Sequence, residues 1–349
     1  MKKKLISGFY KLGVKERVKI LNEMGIISCE ERYTLERQNQ ILSLNEADKM
    51  VENVIGVFGL PLAIASDFLV NDKNYFVPMV VEEPSVVAGV NNAAKIIKSS
   101  GGFKSELRNS LLVGQIQIRN LKDTAQAKKI LQQNKSNLIE KANELIPRLN
   151  ERGGGVKDID IREVNIQNRL DLVLHLHVNT ADAMGANLVN TVCEGLSDAI
   201  EGMITGNVGL KILSNYTDQS LVKVEIEIHP DLLEKNEFTG IEVRDGIIDA
   251  CDFANADPYR AVTHNKGIMN GIDAVAIATG NDWRAIEAAA HAYASSTGRY
   301  KSLSNWDICD NGNLKGELLM PIKVGIVGGS LSANPASRMG LNITKVDSA

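Results

Sequence analysis

The sequence predicts an α+β fold, with a mainly helical large domain and a smaller βαββαβ domain inserted into it. Three observations carry this. The first hundred residues read mostly as helix. Residues 110–213 change rhythm and alternate strand, helix, strand, strand, helix, strand. Helical patterning then resumes around the strongly alternating segment LVKVEIEI at 221–228. The expected division is therefore a discontinuous large domain, 1–109 with 214–349, and a small domain, 110–213.

Ser43 and Glu46 form a capping box for a helix to about Asn53. YFVPMVVEE reads as a buried strand. Pro84 suits the first turn of a helix through VVAGVNNAAKIIK that stops at Gly101–Gly102. LLVGQIQI (111–118) opens the small domain as a strand. Asp123 or Thr124 caps one long helix to about Leu149, and Gly153–Gly155 breaks it. VKDIDI (156–161) and LDLVLHLHV (170–178) alternate as strands, a helix spans about Ala183–Met203, and VGLKIL (208–213) closes the unit. This order is the split βαβ, or ferredoxin-like, motif. Beyond it the patterning predicts helices near 245–256 and 259–270, a buried strand IDAVAIAT (272–279) and an Ala-rich helix WRAIEAAAHAYAS. Two last strands, LKGELLM and IKVGIVG, precede a polar tail.

Composition narrows the function classes. Of the 349 residues, 44% are hydrophobic and 23% charged, which excludes a disordered chain. Lys plus Arg is 39 against 43 for Asp plus Glu, a net charge of −4, and this argues against nucleic-acid binding. No apolar run reaches the roughly 18 residues of a membrane helix; Val54–Val70 is interrupted by Pro61 and Asp67. The four cysteines lie far apart without zinc spacing and read as reduced, mostly buried thiols of a cytoplasmic protein. No Rossmann glycine fingerprint, P-loop, GxSxG or HExxH occurs.

Chemistry concentrates in four polar clusters set in apolar sequence. EEPSVVAG (82–89) puts two carboxylates at a helix entrance, which also suits plain acidic capping. DAMGAN (182–187) opens a helix with a glycine, a place for a phosphate or for an ordinary cap. RAVTHNKGIMNG (260–271) is rich in donors, and a lysine there suits an electrophile toward a carbonyl or a Schiff-base amine. ATGNDWRAIEA (278–288) places Asp282 at a helix N-cap. His175 and His177 share a strand face with no third ligand nearby, as expected for one side of a sheet; no metal is expected.

Together these clusters resemble the 3-hydroxy-3-methylglutaryl-CoA (HMG-CoA) reductase family, in its class II form from bacteria and archaea. ENVIGVFGLP (52–61), EEPSVVAG, GGF (101–103), DAMGANLVNT (182–191), ILSN (212–215), DPYRAVTHNKGIMNGID (257–273) and ATGNDWRAIEAAAHAYA (278–294) stand in family order and spacing. The resemblance implies Glu83, Lys266 and Asp282 as catalytic residues, with Asp282 linking the other two. It implies substrate contacts at Ser85, Arg260, Thr263, Asn265 and Asn270. Cofactor contacts fall on Asp182, Met184, Gly185, Asn187 and Asn215. It also implies a homodimer with active sites at the interface, to which ENVIG belongs.

One departure stands out. The family ends in a mobile C-terminal flap with a catalytic histidine, whereas the histidines here (175, 177, 229, 264 and 291) all lie elsewhere, so the chain reads as lacking the flap. The reaction implied is a four-electron reduction of HMG-CoA to mevalonate and CoA with two NADPH or NADH. Lys266 would stabilise the oxyanion and Glu83, kept protonated by burial, would supply a proton. NADH-selective members carry an aspartate where this chain has Ile146, with Arg148 and Arg152 nearby, so the expectation leans to NADPH. The alternatives are a non-catalytic CoA-thioester or nucleotide-binding relative and a Schiff-base lysine enzyme. An RNA-binding role is disfavoured because the two central strands of the small domain carry no aromatics.

Overall fold

The computed structural model describes residues 8–37, 41–328 and 330–349. The chain opens with α1 (Val14–Glu23), α2 (Cys29–Glu36) and α3 (Leu44–Asp48). Both predicted caps of Ser43 and Glu46 form, but the helix stops at Asp48 rather than near Asn53. The following segment runs without regular structure to Pro61, with Ile55 and Phe58 left almost fully exposed.

This region holds more strand than the sequence suggested. β1 (Leu62–Val70) and β2 (Lys73–Val80) form an antiparallel hairpin. Its turn residues Asn71 and Asp72 both take positive φ, as a two-residue hairpin turn demands. α4 (Val86–Ser99) lies against β1 and begins only after Ser85, so Pro84 sits in the preceding turn and not in the helix. β3 (Lys104–Leu107) follows.

The small unit comprises β4 (Leu112–Arg119), α5 (Thr124–Gln133), α6 (Lys135–Glu144), α7 (Pro147–Asn150), β5 (Gly155–Ile166), β6 (Arg169–Asn179), α8 (Ala186–Gly195), α9 (Ser197–Glu201) and β7 (Asn207–Ser214). Its sheet runs β5-β6-β4-β7, antiparallel throughout, which is the strand order a split βαβ unit produces. The helices pack on one face over a core that includes Leu112, Ile116, Leu131, Leu138, Leu174 and Val192. The single helix predicted over 123–149 is instead three. Asn134 leaves helical geometry and its side chain donates to the Ile130 carbonyl, and Pro147 cannot continue a helix from within. On the uncovered face His175 meets the Gln115 amide at 2.9 Å and His177 meets Asp160 at 2.8 Å.

β8 (Leu221–Ile228) begins the return. It is followed by α10 (Gly240–Ala256), α11 (Pro258–Ala278), α12 (Trp283–Ala294), β9 (Ser304–Ile308), β10 (Leu314–Pro321), α13 (Ser330–Ala333) and α14 (Pro335–Thr344). The second sheet runs β3-β8-β10-β9. Three expectations fail here. IDAVAIAT is not a strand but the end of α11 with its C-cap Thr279, where Ala274, Ala276 and Ala278 are buried; a short, mostly apolar run does not separate a buried strand from a buried helix. IKVGIVG forms no strand beyond one bridge from Val327 to Ala183. The polar tail folds as α14, whose Met339 and Ile343 pack on Val18, Leu21 and Ile27. Of the cysteines, Cys193 and Cys251 are buried but Cys29 is exposed.

Candidate active site

The strand β2 delivers the chain to Glu83, and Ser85, in the left-handed region at φ 71, turns it into α4. α11 packs across β2, so its middle turn meets this loop. Lys266 Nζ donates to Glu83 Oε2 at 2.6 Å, with side chains 58% and 45% exposed. An ion pair this open contributes at most about 1 kcal/mol to stability. The burial expected to keep Glu83 protonated is absent within one chain.

The other candidates divide. Tyr259, Val262, Thr263, Lys266 and Asn270 recur at helical spacing on one side of α11, and the first four are exposed. Ser85 is exposed, and Arg260 is partly so. Asn265 departs from its expected role as a substrate contact. It is fully buried, its amide donating to the Lys301 carbonyl at 2.8 Å and its oxygen accepting from Leu303 N at 2.9 Å, so both ends tie α11 to the 301–303 segment. His264, two residues before Lys266, turns instead toward β9 and meets Ser304 Oγ at 2.9 Å. Burial, helped by the Arg260 charge, pushes its pKa down.

Asp282 does not link Lys266 to Glu83 in this chain. It caps α12, accepting from Ala285 N at 3.1 Å, and lies 3.8 Å from Arg284. The reason is the length of α11. A dozen helical residues separate Lys266 from the helix end at Ala278, about 18 Å at 1.5 Å each, more than a lysine spans.

The residue before Asp282, Asn281, accepts from Gly325 N at 2.7 Å, and Gly325 borders the DAMGAN segment. Gly185 takes φ 93 at the entrance to α8, and a Cβ there would stand 2.3 Å from Thr180 Cγ2, so both backbone and space require glycine. Ile326 N donates to the Asp182 carbonyl at 2.8 Å. A Cβ on Gly325 would lie 2.3 Å from Met184 N, which brings the two segments into close contact. Asn187 and Asn215 are exposed. Met184 and Asn215 wall a narrow cavity of about 10 Å³ with Leu112, Thr217, Ala285, Ile286 and Lys323. A larger cleft of about 270 Å³, lined by residues such as Asp123 and Met203, lies at the opposite end of β4.

Three residues missed in the sequence belong to this region. Lys323 is 6% exposed, a lone cation in the run PIKVGIV. Asp273 on α11 faces the Glu287 carboxylate on α12, its Oδ1 buried with no hydrogen-bond partner among the described residues, and burial first and Glu287 second push it up to about 7. Glu287 in turn holds His291 at 2.6 Å. Only the isolated charges in apolar surroundings could have flagged them. Ile146, placed by sequence where an aspartate would select NADH, is a buried core residue, while Arg148 and Arg152 are exposed.

The fold is that of a class II reductase. A *Streptococcus pneumoniae* structure described as the class II 3-hydroxy-3-methylglutaryl-CoA reductase bound to NADPH in open conformations superposes with a TM-score of 0.93 at 41% identity, covering 97% of this chain and 91% of that one. The family model for Hydroxymethylglutaryl-coenzyme A reductase matches residues 13–349, and the chain belongs to that family. The 3-hydroxy-3-methylglutaryl-coenzyme A reductase of *Archaeoglobus fulgidus* is 46% identical over 99% of this chain and 77% of its own length. A probable reductase of *Borreliella burgdorferi* is 36% identical over 86% of this chain and 68% of its own.

Proposed function

We propose that the chain reduces HMG-CoA to mevalonate and CoA, consuming two NAD(P)H and two protons, at a site built on the Lys266–Glu83 pair. The observation that carries this reading is that pair: a cation and a carboxylate 2.6 Å apart on an open surface, where they serve stability little. When bound, the cofactor supplies hydride twice. Lys266 holds the oxygen on which negative charge builds at each addition, and Glu83 passes the proton that the aldehyde oxygen takes in the second. Thr263 and Asn270, on the same side of α11, and Ser85 and Arg260 orient the acyl chain. None of the five histidines bonds to Lys266 or Glu83, so protonation of the departing thiolate falls to a group outside this set.

The division into a large substrate domain (1–109 and 214–349) and a small cofactor domain (110–213) accompanies this reading. The DAMGAN turn suits a dinucleotide through the N-terminus of α8, which Gly185 opens at φ 93; the room that its missing Cβ leaves is filled by Thr180. We infer a homodimer in which the partner's Asp282 approaches Lys266, since within one chain about 18 Å of helix separates Lys266 from the end of α11, beyond which Asp282 lies. The exposed Ile55, Phe58, Tyr259 and Val262 are the apolar surface such an interface buries. NADPH is the preferred donor, with Arg148 and Arg152 available to a 2′-phosphate and no carboxylate at Ile146 to repel it. The test is stoichiometry. Two NADPH oxidised per mevalonate formed supports the reading; no HMG-CoA-dependent oxidation, or borohydride trapping of substrate on Lys266, overturns it.

A further inference from the structure

Lys323 is the most deeply buried lysine of the described residues, at 6% exposure, and the reaction as derived does not use it. Among the described residues its ammonium makes a single hydrogen bond, to the neutral Ser110 hydroxyl at 2.9 Å. An ammonium carries three donors, and taking it out of water is costly unless acceptors replace the lost solvent. Burial outweighs the favourable charge of Asp182 and pushes its pKa down. A methionine would fill the same space at less cost, so stability does not explain a lysine here.

Its position does. Lys323 shares a cavity with Met184 and Asn215 from the cofactor segments and with Ala285 and Ile286 from the first turn of the helix that Asp282 caps. The cavity sets the cofactor segments against the helix that Asp282 caps, and Asp282 is the residue inferred to reach Lys266 across the dimer, which puts the reacting end of the dinucleotide on this side. We propose that Lys323 is a cofactor-binding residue, donating from its buried ammonium to the carboxamide oxygen at the nicotinamide end of the dinucleotide. This rests on the reading of Met184 and Asn215 as cofactor contacts. At about 10 Å³ the cavity holds one water at most, so its walls must part on binding, whereupon a carboxamide oxygen serves a donor that Ser110 leaves free.

The test is Lys323→Met in the full chain, with Asn215→Ala beside it. NADPH affinity is read by quenching of nicotinamide fluorescence, HMG-CoA affinity by calorimetry, and Tm by a thermal scan. The expected result is NADPH binding weakened roughly ten- to a hundredfold, as for loss of a charged hydrogen bond. HMG-CoA binding stays unchanged and Tm is equal or higher. Unchanged NADPH affinity overturns the proposal, and a lowered Tm with unchanged affinity would make Lys323 a structural tie to Ser110. If Asn215→Ala weakens NADPH binding while Lys323→Met does not, only the lysine's role falls. If neither does, the cofactor assignment falls with it. Should Lys323→Met not fold, Lys323→Gln keeps one donor and is expected to lose affinity severalfold; wild-type affinity there again overturns the proposal.

Discussion

At the scale of single residues, the Lys266–Glu83 pair is where sequence and structure agree most closely. The family resemblance points to both, in motifs far apart in the chain, and they meet at 2.6 Å. Glu83→Gln keeps the shape but removes the acid. It should lower mevaldehyde reduction by about a hundredfold or more while leaving the fold intact. Parallel steady-state assays check this, and an equal rate would move the acid elsewhere. Asn265 shows the limit of such reading. Its motif neighbours point to substrate, but its amide closes a gap between α11 and the segment before β9, a partnership 36 residues along that no local pattern encodes. Lys323 is hidden in the sequence for the opposite reason, since one lysine in an apolar run carries no spacing signal.

At the scale of elements, the period-2 strands of the small sheet and the capped helices were legible, because alternation and capping are local. The sequence does not distinguish buried strand from buried helix in the second half of α11, where residues 272–278 are all buried or half-buried. That helix carries a testable consequence. Asp273 and Glu287 join α11 to α12, and Asp273 is raised from an ordinary 3.8 to about 7 by burial first and its neighbour second. The folded state therefore keeps a proton that the unfolded chain releases. Its stabilisation is full below about pH 4, is lost as pH rises toward 7, and levels off above. Between pH 5 and 8 the wild type should lose about 1–3 °C of Tm that Asp273→Asn does not lose. Identical slopes in a thermal scan would show that the pair does not titrate in this range.

At the scale of the whole molecule, α11 separates two clusters, with Lys266 and Glu83 at its middle and, past its C-terminal end, Asn281 and Asp282 beside the segment that meets DAMGAN. No sequence pattern reveals this, because spacing in a motif says nothing about helix length until the strand reading of 272–279 is replaced by helix. If partner chains complete each other, Lys266→Ala and Asp282→Ala are each inactive alone. Mixed and refolded together, they should regain up to about a quarter of wild-type activity, since half the dimers are mixed and each has one intact site. No recovery in a mixture shown to contain heterodimers would place Asp282 outside the shared site. The account as a whole stands on Lys266 as the cation that meets the developing oxyanion. The most direct test is NADPH-dependent reduction of mevaldehyde by the wild type and by Lys266→Ala, at matched folding and dimerisation. A loss on the order of a hundredfold or more in turnover is predicted, and a variant that reduces mevaldehyde at the wild-type rate would contradict it.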